Sequence, residues 1–221
     1  APPNKFTREE MTAAALRVVR ARGLDGLTAK TLADELGTST QPVFTCFSTM
    51  EEVRREIRAA AEKRYVDYAM EGLKEPVPFF GFGVRYIRFA REEPELYRLL
   101  FLTTDASGKS GAMAEMERFR ELVRPSLEEI YHIGKADADR YFLDMWLVVH
   151  SIATLTVTGG CPYSEKEIAD ILTGFSVSVY KAIKEIPGFA AGDFDRDKVF
   201  RELIAEDESD PGGGSRGYGP A

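Results

Sequence analysis

The sequence is poor in the residue types that most often build metal or disulfide sites. It has two cysteines, two histidines and one tryptophan among 221 residues. Cys46 and Cys161 lie far apart, which favours free thiols in a reducing compartment, although a bridge between them stays open at this stage. Neither His132 nor His150 has a cluster of cysteines or carboxylates that would complete a metal site. We therefore expect no bound metal.

Patterns typical of membrane proteins and enzymes are also missing. The most apolar stretch, residues 145–158, is shorter than the roughly 18 apolar residues that a membrane span needs. Gly72, Gly81 and Gly83 have no preceding strand, so they do not form a phosphate-binding glycine loop. No nucleophile is visibly paired with a base. We expect a cytoplasmic protein that is not an enzyme, with no catalytic residues, no cofactor and no membrane partner.

The net charge of −7 is unevenly distributed along the chain. Residues 1–66 contain eleven Lys and Arg against nine Asp and Glu, whereas the rest of the chain contains 18 against 27. An acidic body repels nucleic acid, so only the N-terminal part could dock on DNA.

Residues 28–53 carry the sharpest functional signal, because they predict two short helices hinged at a glycine and a third helix directly after them. Thr28 is a suitable N-cap, and Leu32 and Leu36 give the first helix one buried stripe. Gly37 stands where a helix C-terminus favours the left-handed region. This is the helix-turn-helix arrangement, which presents its second helix to the DNA major groove.

The second of these helices is predicted from Ser39 or Thr40 to Phe47. Pro42 is tolerated only in its first turn. Val43 and Phe47, four residues apart, are expected to face inward. The outward positions then carry short hydroxyls and an amide that suit phosphates and base edges, namely Ser39, Thr40, Gln41 and Thr45.

Taken together, the first 65 or so residues resemble the DNA-binding domain of the TetR family of bacterial transcriptional regulators. The matching features are an opening helix over residues 7–22, the segments 23–28 and 32–37, and then Ser39, Val43, Phe44, Phe47 and Glu51-Glu52-Val53. The resemblance implies double-stranded operator DNA as a partner. The residues expected to bind it are Thr28, Lys30, Ser39, Thr40, Gln41, Phe44 and Thr45. Further candidate phosphate contacts are Lys5, Arg8 and either Arg54 or Arg55.

The chain departs from the family pattern at three positions. The family's recognition helix usually ends in Tyr-x-His-Phe, and its next helix opens near a Lys, whereas this chain has Phe44, Cys46 and Met50 at those places. Three polar groups that contact phosphate in the family are therefore absent. This departure puts the usual phosphate clamp in doubt but not the fold.

The apolar periodicity and the helix breakers predict an all-α protein of two parts. The first part is an N-terminal three-helix bundle with the helix-turn-helix, over residues 1–48. A connecting helix over 49–72 leads to a larger C-terminal helical domain for ligand binding and dimerisation, over 73–206. The Gly-rich, Pro-rich and Ser-rich residues 207–221 are expected to be a disordered tail.

Aromatic side chains are concentrated in residues 79–101 and recur at helical spacing. Such a stripe is typical of a packed core, but the resemblance to the TetR family also implies a cavity for a small-molecule effector in this domain. The residues expected to bind that effector are Phe82, Tyr86, Phe89, Tyr97, Phe101, Phe119, Trp146 and His150.

His150 follows Trp146 by four residues on an apolar helix. This position is typical of a core histidine with a satisfied hydrogen bond, and contact with an effector is the alternative. The pattern from Tyr86 to Tyr97, together with Trp146-x-x-x-His150, also resembles the Trp-His-Gly subclass of the family. Ser151 stands here where that subclass usually has Gly.

The last two long helices are predicted to carry a broad apolar face each. The first face comprises Tyr141, Met145, Val148 or Val149, Ile152, Leu155 and Thr156, and the second comprises Ile168, Ile171 or Leu172, Phe175, Val179 and Ile183. By resemblance, these helices would pair with those of a second copy in a four-helix homodimer interface, although packing within one chain stays open.

The sequence therefore predicts a homodimeric regulator, most simply a repressor that a small lipophilic or aromatic effector releases from a palindromic operator. Two alternatives stay open. One is a DNA-binding protein without an effector, whose aromatic interior is solid core. The other is a small-molecule-binding protein or enzyme of the same fold that has lost DNA binding.

Overall fold

The computed structural model describes residues 6–75, 77–104 and 111–209. Within those ranges the chain forms ten α-helices and no β-strand, which confirms the predicted all-α fold. The helices are α1 (Arg8–Arg22), α2 (Ala29–Glu35), α3 (Gln41–Cys46), α4 (Met50–Gly72), α5 (Pro78–Glu92), α6 (Pro94–Phe101), α7 (Gly111–Tyr131), α8 (Lys135–Val157), α9 (Glu165–Glu185) and α10 (Arg196–Ser209).

The N-terminal helices begin at hydroxyl caps that the sequence supplies. Thr7 caps α1 through a reciprocal pair with Glu10, and Thr28 caps α2 in the same way with Thr31. Gly37 follows α2 with φ +62°, a conformation that side chains with a Cβ rarely adopt. These local features place α1, α2 and α3 around a small core that continues into α4.

The C-terminal domain is organised around α5 and α8, which pack on each other, while α4 packs along α5. The crossing of α4 and α5 is close because both helices carry a glycine there. A Cβ added at Gly81 would lie 2.2 Å from the carbonyl oxygen of Gly72, so no larger residue fits without separating the helices. This close approach fixes the connecting helix against the C-terminal domain.

One predicted boundary is wrong. Helix α10 extends through Ser209, so the first residues of the segment expected to be a disordered tail, 207–209, are helical. Charged residues continue through Glu208 and are tolerated in a helix better than the Gly-rich composition that begins at Gly212. The rest of the expected tail lies outside the described residues.

A buried carboxylate joins the N-terminal bundle to the C-terminal domain. Glu93 lies between α5 and α6 and is only 2% exposed. Its two oxygens accept hydrogen bonds from Arg20 of α1, one of them 2.5 Å from Arg20 Nε, and Arg64 of α4 donates to the same carboxylate. Each arginine side chain is 42% exposed, so the guanidinium groups also reach solvent. We call this group of three residues the Glu93 clasp.

We expect the Glu93 clasp to be strongly non-additive. Arg20→Met or Arg64→Met alone leaves one guanidinium on the carboxylate, whereas the double variant leaves a buried charge without a partner. Breaking such a pair costs about 3–5 kcal/mol of unfolding free energy. Urea unfolding should therefore show a double-variant loss larger than the sum of the two single losses.

Adding Glu93→Gln to the double variant tests the cause, because it removes the unpaired charge and should restore part of the stability. Arg17→Met is the matched control, since Arg17 pairs with Glu35 at an exposed position. Additive losses, or no recovery with Glu93→Gln, would contradict this account.

Candidate nucleic-acid interface and ligand site

The surface of α3 divides as its sequence spacing predicts. Val43 and Phe47 are 0% and 1% exposed and anchor the helix on the N-terminal core. Ser39, Thr40, Gln41 and Thr45 are all exposed. Thr45 donates its hydroxyl proton to the carbonyl of Gln41 at 3.0 Å, so its oxygen remains available as an acceptor. These four polar side chains therefore face solvent, while Val43 and Phe47 on the opposite side hold the helix on the core.

The two predicted DNA contacts at the start of α2, Thr28 and Lys30, differ in whether their side chains already have a hydrogen-bond partner. The Thr28 hydroxyl accepts a hydrogen bond from the Thr31 amide at 3.1 Å, so it is engaged in capping the helix. Lys30, in the first turn of α2, is exposed. A long exposed ammonium group beside the recognition helix suits a phosphate contact better than a hydroxyl that already serves as a cap.

Arg8, predicted as a phosphate contact, has a structural position instead. Its guanidinium donates to Glu56 at 2.6 Å and to Glu52 at 2.7 Å, and it lies over the Phe47 ring at 4.4 Å from the centroid. These contacts join α1 to α4 and neutralise the group locally. The sequence could not reveal them, because Arg8 and Glu56 are 48 residues apart. Lys5, another candidate, lies outside the described residues.

The side chains at the three positions that depart from the family pattern differ in their exposure. Phe44 is 51% exposed on the outer surface of α3. Cys46 is half-buried and its thiol donates to the Phe6 carbonyl at 3.4 Å, while Met50 packs partly against the core. Only Phe44 is therefore placed to touch a ligand on this surface.

Six of the predicted ligand residues form one buried aromatic cluster, and the centre of that cluster is a residue that the sequence did not single out. Tyr65 of α4 is 1% exposed, and its ring centroid lies 4.9–5.5 Å from the rings of four neighbours. Those neighbours are Tyr86, Phe89, Phe101 and Phe119. The Phe82 ring packs at a tilt against Phe119, and the Tyr97 ring does the same against Phe101. The rings pack tightly on one another, as in a protein core.

Tyr65 continues the buried stripe of the connecting helix α4. The four-residue spacing from Ile57 through Ala61 to Tyr65 identifies the buried stripe, but it does not show what the stripe packs against. The structure places Tyr65 inside the C-terminal aromatic cluster, so α4 contributes to both parts of the molecule.

His150 forms a polar spot at one side of this cluster. Its Nδ1 atom lies 2.9 Å from the Tyr86 hydroxyl and 3.0 Å from the Tyr97 hydroxyl. Tyr97 also lies 3.0 Å from the Thr154 hydroxyl. The imidazole stacks on Trp146 with centroids 4.6 Å apart and an interplanar angle of 7°. Thus the eight predicted ligand residues, from Phe82 to His150, lie together in one region.

The titratable groups of this polar spot are neutral at physiological pH. Burial raises the pKa of Tyr97 to about 12 and raises the pKa of Tyr86 well above its ordinary value. Burial also lowers the pKa of His150. Hydrogen bonds among neutral groups are therefore what this spot offers to a bound molecule.

The predicted dimer faces divide between the core and the surface. Tyr141, Met145 and Ile152 of α8 are buried within the chain, as are Ile168 and Leu172 of α9. These predicted interface residues are therefore core residues of a single chain. The sequence could not separate the two roles, because the apolar stripe on each helix is wide enough for both.

The exposed apolar surface combines part of the predicted faces with neighbouring residues. It includes Leu147, which is 48% exposed, together with Leu155, Ile171, Phe175 and Val177. A groove of about 360 Å³ runs between α8 and α9 and is lined by Leu147, Val148, Ile152, Ile171 and Phe175 among others. We call this surface the α8–α9 face. Leu147 and Val177 were not predicted to belong to it.

The described part of the chain lacks two kinds of feature. No helix there is both long enough and apolar enough to cross a membrane. No group of three His, Cys, Asp or Glu side chains there is arranged to hold a metal ion. Cys46 and Cys161 are free thiols.

Comparison with known proteins agrees with this architecture. Residues 79–174 match the family described as tetracyclin repressor-like, C-terminal domain. A protein of unknown function from Rhodococcus sp. RHA1 has a similar structure, with a TM-score of 0.63, 20% identity and coverage of 82% of this chain and 98% of that chain. A member of the TetR family from Streptomyces coelicolor A3 has a TM-score of 0.54 and 19% identity, covering 76% of this chain and 96% of that chain. No curated protein sequence matches significantly.

We expect His150 to make stability depend on pH. Its pKa in the folded chain lies below the ordinary value of 6.5, so the unfolded chain binds a proton more readily as the pH falls. The unfolding free energy should therefore fall between about pH 7.5 and about pH 5.5, and His150→Asn should reduce that fall. Urea unfolding of both proteins at the two pH values measures it.

His132→Asn is the control, because it removes an imidazole from an exposed position. If the pH dependence of the His150→Asn protein equalled that of the parent, His150 would not be the group responsible.

Proposed function

We propose that the chain is a regulator of the TetR family, and that it is a cytoplasmic homodimeric repressor that binds a near-palindromic DNA operator. A small lipophilic or aromatic effector would release it from that operator. The observation that carries the proposal is the exposed polar face of α3, held on a buried three-helix scaffold. The N-terminal part also has a small net positive charge, whereas the rest of the chain has a net negative charge.

The proposed DNA contacts fall into two groups. Gln41, the first residue of α3, and Thr45, near its end, are exposed and suit base edges, since an amide can pair with adenine through two hydrogen bonds. Lys30, Ser39 and Thr40 lie at the start of α2 or just before α3, where they suit phosphates. Thr28 acts through the cap that orders α2 rather than through a strong contact of its own.

A homodimer is proposed because one copy exposes the α8–α9 face. Apolar residues that recur along two neighbouring helices, with a groove between them, suit pairing with the same two helices of a second copy. Such a two-fold dimer would present two recognition helices about one DNA turn apart, roughly 34 Å. It would also double the phosphate contacts, which a chain of modest positive charge needs.

The proposed effector region is the aromatic cluster with its polar spot at His150. A molecule bound there would have to displace ring contacts around Tyr65, which belongs to α4. Since α4 begins directly beside α3, a shift of α4 would change the spacing of the recognition helices in a dimer. An effector that fits only the shifted state would weaken operator affinity by its differential binding free energy.

A second candidate function is a small-molecule-binding protein or enzyme of this fold that has lost DNA binding. Cys46 and Met50 favour it, because they stand where the family has two polar groups that contact phosphate. Both side chains are half-buried. The close packing of the aromatic cluster favours a third candidate, a DNA-binding protein without an effector. A thermal-shift screen with lipophilic aromatic compounds separates the third candidate from the other two.

The proposal is tested by selecting bound sequences from a pooled random-duplex library at several salt concentrations. We expect a near-palindrome to be enriched, with affinity that falls steeply as salt increases. Failure to enrich any sequence even at low salt would reject DNA binding and leave the small-molecule alternative.

Lys30→Ala should weaken binding to all duplexes similarly and leave base preference unchanged. Loss of one phosphate contact lowers the slope of log affinity against log salt by about one per contact. Lys74→Ala, an exposed lysine beyond the end of α4, is the control. Fluorescence anisotropy over a salt series measures both slopes, and an unchanged slope for Lys30→Ala would reject its phosphate role.

A further inference from the structure

Phe44 is the one large apolar side chain on the proposed DNA-facing surface. It is 51% exposed, whereas Phe47 at the end of the same helix is 1% exposed. Gln41 lies one turn before Phe44, and Thr45 follows it, and both are exposed. Because positions three apart on a helix are neighbours on its surface, the phenyl ring and the Gln41 amide would meet the same stretch of DNA.

The chemistry of DNA restricts what an exposed phenyl ring can recognise. Phosphates require charge or a hydrogen-bond donor, and the ring supplies neither. Among groups on the base edges of the major groove, the C5-methyl of thymine is the apolar one. We propose that Phe44 contacts a thymine methyl in each operator half-site and so helps to determine sequence specificity. This inference rests on the proposed function and adds the base that the helix reads.

The position of Gln41 fits the same base step. Its amide is suited to adenine, which donates from N6 and accepts at N7. Every adenine is paired with a thymine, so an amide and a phenyl ring side by side suit a run of A·T pairs. We therefore expect the core of the half-site to contain a thymine that Phe44 contacts and, at the neighbouring position, an adenine that Gln41 contacts.

The other two departures from the family pattern increase the importance of this contact. Cys46 and Met50 turn partly into the protein, and Arg8 is engaged by Glu52 and Glu56. With fewer charged or polar groups on phosphates, a larger share of the binding free energy has to come from base contacts. Those contacts carry sequence information, whereas phosphate contacts do not.

The test replaces each thymine of the selected palindrome, symmetrically in both half-sites, with deoxyuridine, which lacks only the methyl. Burial of one methyl-sized group corresponds to about fourfold in affinity per half-site, or about sixteenfold for a dimer on two half-sites. We expect one thymine position to show this loss with the parent protein. Phe44→Ala should weaken binding to the thymine operator by a similar factor. The same variant should bind the deoxyuridine operator as tightly as it binds the thymine operator.

Phe44→Leu keeps an apolar group and should retain part of the preference for thymine. Phe200→Ala is the matched control, since Phe200 is also exposed, at 63%, but belongs to α10 far along the chain. Circular dichroism of each variant establishes that it is folded before binding is measured.

Several outcomes overturn the inference while leaving operator binding intact. One is a selected palindrome without thymine, another is a parent protein indifferent to every deoxyuridine replacement, and a third is a Phe44→Ala protein that keeps the full preference. If the parent protein were indifferent to deoxyuridine but Phe44→Ala bound the operator more weakly, the ring would lie on deoxyribose, which carries no sequence information. Failure to select any sequence is different, because it rejects the proposed function itself.

Discussion

The constraint on which the arrangement of the two parts depends is the burial of one negative charge. Glu93 is almost fully removed from water, and such a carboxylate is tolerated only when positive groups reach it. Arg20 comes from the N-terminal bundle and Arg64 from the connecting helix, so the buried charge is compensated by two elements outside the α5–α6 turn. Glu93 itself lies in the turn between α5 and α6, directly before Pro94, where α6 starts. An orientation of the bundle that broke these pairs would leave the charge uncompensated.

The connecting helix α4 carries two adjacent residues with different tasks. Arg64 belongs to the Glu93 clasp at the boundary, whereas Tyr65 lies at the centre of the aromatic cluster. Any change in ring packing that moves Tyr65 acts on the helix one residue from the clasp. Because packed cores and charge pairs have discrete arrangements, such a movement is more readily a switch between two states than a gradual bend. The clasp therefore stands between the proposed effector region and the recognition helix.

The local structure could be predicted from the sequence because each helix boundary carries its own chemistry. Thr28 and Gly37 mark a helix start and a helix end that the structure reproduces within a few residues. Long-range partners could not be predicted, since no local pattern joins Arg20 to a carboxylate 73 residues away. For the same reason the sequence could not divide the apolar faces of α8 and α9 between a dimer interface and the core of one chain, where Tyr141 and Ile168 lie.

The modest net charge of the N-terminal part gives the candidate interface its distinctive balance. A repressor can hold an operator by many phosphate contacts or by fewer contacts with better base readout. Arg8 is bound to two carboxylates, and Cys46 and Met50 are turned inward, so the first route is weakened here. What α3 keeps is a compact set of side chains suited to base edges, with an exposed phenyl ring among them. A dimer built this way would depend on sequence more strongly, and on salt less strongly, than one with the full phosphate clamp.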